Sequence, residues 1–111
     1  MTKVLDAMKD RLVFKAPQLM SGPKVHLLKQ EILKSLDSED TELLIDFSDV
    51  AYIDLHGLVL FRDICDLVRT AGKKAYAYML QPQLLELLAE VNLLAEETEG
   101  ENSDQYMIKT A

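Results

Sequence analysis

The 111-residue chain is the size of a single domain, and its 49% apolar content rules out wholesale disorder. The net charge of −7 is unevenly placed: Glu96, Glu97, Glu99, Glu101 and Asp104 hold five negatives in a stretch without Lys or Arg, and the remainder carries only −2. The sequence shows no basic face for nucleic acid, no apolar run near the ~20 residues of a membrane span, and one cysteine, Cys65, which excludes an internal disulfide. Charges are interspersed through residues 1–14, unlike a signal peptide, so a cytoplasmic protein without direct membrane insertion is expected.

Residues 1–15 admit two readings. Val4, Leu5, Met8 and Leu12 can form a helical stripe, whereas Arg11-Leu12-Val13-Phe14-Lys15 can equally be a strand after a Lys9-Asp10 turn. Pro17 ends this piece, because it biases the residue before it toward extended geometry. Ser21-Gly22-Pro23 reads as a helix start, with Ser21 or Gly22 as cap and Pro23 in the first turn. Val25, Leu28, Ile32 and Leu36 then recur at spacings of three and four as one apolar stripe. Lys24, Lys29, Glu31 and Lys34 fall mostly off it, and His26 sits at its polar edge with no assigned role. Residues 37–40 form a loop.

Residues 43–47, LLIDF, are a short apolar run expected to be a central strand, with Asp46 as a capped carboxylate near its end. Ser48-Asp49 breaks it as a polar turn, and residues 50–53 form a second short apolar piece. Asp54-Leu55-His56-Gly57 opens a helix over residues 58–70. Leu58, Phe61, Cys65 and Val68 share one line of it, and Leu60, Ile64 and Leu67 a neighbouring one. So wide an apolar arc predicts deep packing against a sheet face, with Arg62, Asp63, Asp66 and Arg69 on the wet side. Within that arc Cys65 reads as a small buried hydrophobe.

Gly72 is the expected left-handed helix stop. Residues 74–80, KAYAYML, form a strand with Tyr76 and Tyr78 on one face. Gln81-Pro82 starts another helix, with Leu84, Leu85, Leu88 and Val91 inward and Glu86 and Glu90 outward. Asn92 tolerates the left-handed conformation that ends it. Residues 1–95 are therefore expected to form the domain. Residues 96–111 are an acidic linker and tail, with 105–109 either an added edge strand or frayed.

Alternating strands and helices imply an α/β fold with a mostly parallel sheet. Asp46-Phe47-Ser48-Asp49-Val50, followed by Ile53-Asp54-Leu55-His56-Gly57-Leu58, resembles the centre of the STAS domain, the anti-sigma factor antagonist family. The family's usual form is Asp-Leu-Ser-x-Val, then an Asp-Ser-Ser-Gly-Leu turn into a helix. The resemblance spans roughly residues 11–94. It implies a small STAS-like fold, a central sheet of 4–5 strands flanked by helices, and it favours two strands joined by a tight turn within residues 1–15.

The resemblance also implies a partner-switching regulator of transcription rather than an enzyme, with one departure. The family's phosphoacceptor is typically the second Ser of the turn, where this chain has His56; Leu55 replaces the other Ser. His56 has no hydroxyl for that chemistry. It is a partner contact in a domain fixed in one state, a tolerated surface residue on a domain whose interface lies elsewhere, or itself a phosphorylation site. The expected partner surface comprises Ser48, Asp54, Leu55, His56, Gly57, Leu58 and Arg62. Asp54 is more readily a helix cap than a catalytic acid, and Ser48 either a turn-stabilising hydroxyl or an alternative phosphoacceptor. Gly57 allows close backbone approach.

The implied partners are an anti-sigma or kinase-like protein, other STAS proteins, or a second copy of the chain. The rival readings are an accessory STAS subunit of a membrane transport system and a small-ligand or nucleotide-binding STAS domain. No catalytic residue, metal site or cofactor is expected: the two histidines are far apart, no second cysteine joins Cys65, and no Gly-rich phosphate loop is present.

Overall fold

The computed structural model describes residues 11–37, 42–94 and 105–108. Three parallel strands, β1 (Arg11–Lys15), β3 (Glu42–Asp46) and β5 (Lys74–Tyr78), form a sheet. The antiparallel strand β6 (Gln105–Met107) completes it on the β5 side, in the order β1-β3-β5-β6. Side chains alternate across a strand, so the register that aligns Phe14 with Ile45 and Ile45 with Ala77 also sets one face of the sheet. That face carries Leu43, Ile45, Ala75 and Ala77, all buried. Val25, Leu28 and Ile32 of α1 (Gly22–Ser35), Phe61, Ile64, Cys65 and Val68 of α2 (Leu55–Thr70), and Leu84 and Leu88 of α3 (Pro82–Glu90) join it in one core. The small side chains of Ala75 and Ala77 let α2 lie close over β5. No helix among the described residues is long and apolar enough to cross a membrane.

The strand–turn–helix segment is fixed from beneath. Phe47, the residue after β3, meets Phe61 of α2 edge to face, with ring centroids 5.6 Å apart and planes at 86°. Such a pair adds about 0.5–1.5 kcal/mol beyond the area it buries. The Phe47 amide donates to the Tyr78 carbonyl at 2.8 Å, and the Val50 amide to the Phe47 carbonyl at 3.0 Å, which closes the polar turn between them.

Several sequence expectations are corrected. The helix expected over residues 58–70 begins at Leu55, because Asp54 is its N-cap and Gly57 lies inside its first turn. The apolar piece 50–53 narrows to β4 (Tyr52–Ile53), which pairs in parallel with β2 (Leu19–Met20) as a separate two-stranded sheet. Pro17 lies just past the end of β1, as expected, and the short strand β2 opens after it. The strand expected to reach Leu80 stops at Tyr78, because Met79 takes a left-handed conformation (φ 63°) unusual for its side chain. Ser21 is the N-cap of α1, but its side chain makes no capping bond.

Gly72 (φ 77°) and Asn92 (φ 65°) are left-handed stops, as expected. The alternatives for the C-terminal segment resolve in favour of an edge strand: β6 pairs with β5, and Ile108 is buried in the common core. The expected strand and turn within residues 1–10 and the acidic linker at 96–104 lie outside the described residues.

Candidate functional site

Three neighbouring structures occupy the segment from Ser48 to Arg62, and they differ in kind. The first is the opening turn of α2. Asp54 is extended (φ −92°, ψ 174°), and its Oδ1 accepts the Gly57 amide at 2.7 Å. The Asp54 amide in turn donates to the Met20 carbonyl at 3.3 Å. Gly57 presses on the same carbonyl: a Cβ there would lie 2.9 Å from the Met20 carbonyl carbon and closer still to its oxygen. Gly57 is therefore buried, and its place in the turn is that of a close backbone approach. Leu55 and His56 project outward from this anchored turn, and Leu55 is 77% exposed. The His56 ring lies against Gly22, the first residue of α1.

The second structure is an apolar groove of about 230 Å³. Leu55, Leu58, Val59 and Arg62 line it from α2, and Val91 and Leu93 from the segment after α3. Leu58 is half-buried and packs on the core, while Val59 remains 52% exposed. Arg62 is exposed and forms no ion pair among the described residues, so its guanidinium is available at the groove's edge.

The third structure is polar and internally satisfied. Lys15 at the end of β1 lies 3.1 Å from Asp49 and 3.6 Å from Asp46. Asp46 Oδ1 accepts the Ser48 amide at 2.8 Å, and the Ser48 hydroxyl also bonds this carboxylate. Partial burial pushes the Asp46 carboxyl up, but the Ser48 amide and hydroxyl and the Lys15 ammonium outweigh it and hold the group below its usual range. The hydrogen bond from Lys15 to Asp49, aided by both negative charges against slight desolvation, raises the ammonium's pKa. Ser48 is thus engaged in closing the turn. Across the same loop, the Gln81 side chain donates to the Val50 carbonyl at 3.0 Å.

The seven expected contact residues consequently fall into separate groups. Leu55, Leu58 and Arg62 come together in the groove, His56 stands beside them on α2 with its ring against the start of α1, Asp54 and Gly57 build the turn, and Ser48 belongs to the polar cluster. Val59, Val91 and Leu93 were missed, as was the contact with Gly22. Val59 had a signal, since it lies four residues after Leu55 and hence on the same helix face. Val91 and Leu93 come from another element and had none.

Cys65 is buried within the core, and desolvation pushes its thiol up to about 12, far from the reactive range. Among the described residues no group of three His, Cys, Asp or Glu could hold a metal ion. The family model for the STAS domain matches residues 2–104 of the chain. No curated protein matches it.

Proposed function

The chain belongs to the STAS domain family; from that premise we propose that it is a cytoplasmic protein-interaction module of a partner-switching pathway, of the anti-sigma factor antagonist type, and not an enzyme. The exposure of Leu55 carries this reading. A leucine left 77% in solvent on a turn held by a cap and a backbone contact is a rigid apolar projection, and it borders an apolar groove with one available cation. A few well-packed anchors, Arg among the commonest, supply most of the energy of protein–protein contacts, and a preorganised support lowers the cost of making them. The partner this surface fits presents an apolar side chain to the groove and a carboxylate to Arg62.

Residues 54–58 contain no serine or threonine, so the turn offers no hydroxyl to a serine kinase. Under this reading the domain holds a kinase-like or anti-sigma partner, another STAS protein or a second copy of itself without being reset by phosphorylation there.

The test is affinity purification of the full chain from its native cell, with Leu55→Asp in parallel. The expected result is a soluble kinase-like or STAS partner retained by the wild type and lost with Leu55→Asp. Recovery of a membrane ATPase complex would move the protein to the accessory-subunit class. A partner retained equally by both forms would overturn the docking surface.

A further inference from the structure

The turn that projects His56 is fixed in backbone by Asp54 and Gly57, so the placement of the imidazole depends on what lies beneath the ring. That surface is Gly22. A Cβ at residue 22 would stand 2.9 Å from both Cγ and Cε1 of His56, and nearer still to Nδ1. Gly22 is itself buried, although it begins a helix that is exposed on its outer side. Its φ is not left-handed, so backbone conformation does not demand glycine here. The missing side chain instead corresponds to the space taken by the ring.

The segment before Gly22 cannot give way easily. Met20 pairs with Ile53 in β2–β4, its carbonyl receives the Asp54 amide, and the same carbonyl is pressed by Gly57. The starts of α1 and α2 are thus joined through backbone contacts at Met20 and through the His56 side chain lying on Gly22. The three atoms nearest to an obstruction at residue 22 all belong to a soft neighbour, the solvent-exposed imidazole.

We propose that Gly22 is a positioning residue for the docking surface: by lacking a side chain it lets the His56 ring lie across the first turn of α1, and so sets the direction in which the imidazole is presented to a partner. The role in partner contact rests on the function proposed above; the placement of the ring does not. A sequence reading confined to the motif around residue 56 has no access to this residue, which lies in another helix.

The experiment is side-chain NMR on the isotopically labelled full chain. In the wild type, NOEs connect the Gly22 Hα protons with the His56 ring, and scalar couplings report one dominant χ1 rotamer. Gly22→Ala stays folded, loses that rotamer and gives new ring shifts for His56, because the ring swings out. Absence of the wild-type NOEs, or an unchanged His56 rotamer in folded Gly22→Ala, overturns the proposal. If Gly22→Ala does not fold, the double variant Gly22→Ala/His56→Ser decides: recovery of the fold supports the ring contact, and continued unfolding overturns it.

Once a partner has been purified, Gly22→Ala and His56→Ala each weaken it on the order of tenfold, and the double variant no further than either alone. Additive losses overturn the positioning role. A partner indifferent to His56→Ala, with the NOEs intact, discards His56 as a contact while leaving the ring placement standing.

Discussion

The turn after β3 and the opening turns of α2 are only a few residues apart, yet they resolve their polar and apolar groups in opposite ways. In the turn, Lys15, Asp46, Ser48 and Asp49 satisfy one another, with Asp46 accepting from the Ser48 amide at 2.8 Å. On the helix, Leu55 and Val59 are left 77% and 52% exposed, and Arg62 has no ionic partner among the described residues. A cluster that already pairs its charges has little to gain from a partner. An exposed apolar projection on a rigid support has much to gain, since burying it costs little conformational entropy. The comparison teaches that motif residues adjacent in sequence divide into a brace and a contact surface.

Substitutions in the brace should therefore change stability, and those on the contact surface should change binding. The largest effect is expected from Gly57→Ala, which drives a Cβ into the Met20 carbonyl. Backbone against Cβ has no soft neighbour to displace, so a loss of about 3 kcal/mol is expected, read as a fall of roughly 10–20 °C in Tm. Asp54→Ala comes next. It removes the bond to the Gly57 amide and should cost about 1 kcal/mol, with Asp54→Asn or Asp54→Ser recovering most of it.

Asp46→Asn should have a smaller effect that depends on pH. The folded carboxyl lies below its usual value of 3.8, so its contribution is fully present above that pH and is lost as pH falls through the folded value. The gap in Tm between wild type and Asp46→Asn should therefore be constant near neutrality and close in acid. A gap that widened in acid would show that the carboxylate destabilises the fold. Leu55→Ala and Val59→Ala should leave stability within about 0.5 kcal/mol, as exposed substitutions do, while weakening the partner markedly. Unfolding by either would place these side chains in the brace.

Much of the fold was legible because local rules and tertiary packing agree. The stripe Val25, Leu28 and Ile32 is buried, the arc Phe61, Ile64, Cys65 and Val68 is buried, and Gly72 and Asn92 end their helices as their conformational tolerance allows. The β2–β4 ribbon was not legible, since two residues in each strand give no periodicity and their pairing is a long-range event. Met79 was not legible either, because methionine carries no signal for the left-handed region.

The site was readable as a segment but not as a surface. Leu55 and Leu58 follow from the motif, and Arg62 from the wet face of the helix that it opens. The close backbone approach expected of Gly57 is present, and it buries the residue. Gly22, from the start of α1, and Val91 and Leu93, from the segment after α3, reach the site only through tertiary packing, which no single stretch of sequence records.

The most direct test of the claim that α2, and not the neighbouring turn, is the docking surface is calorimetric titration of the purified partner against Leu55→Asp and Asp49→Asn. The account predicts that Leu55→Asp weakens binding by about 30-fold or more, as loss of a central anchor does, while Asp49→Asn leaves affinity within about threefold. Tight binding by Leu55→Asp together with a large loss in Asp49→Asn would contradict it and assign recognition to the polar cluster.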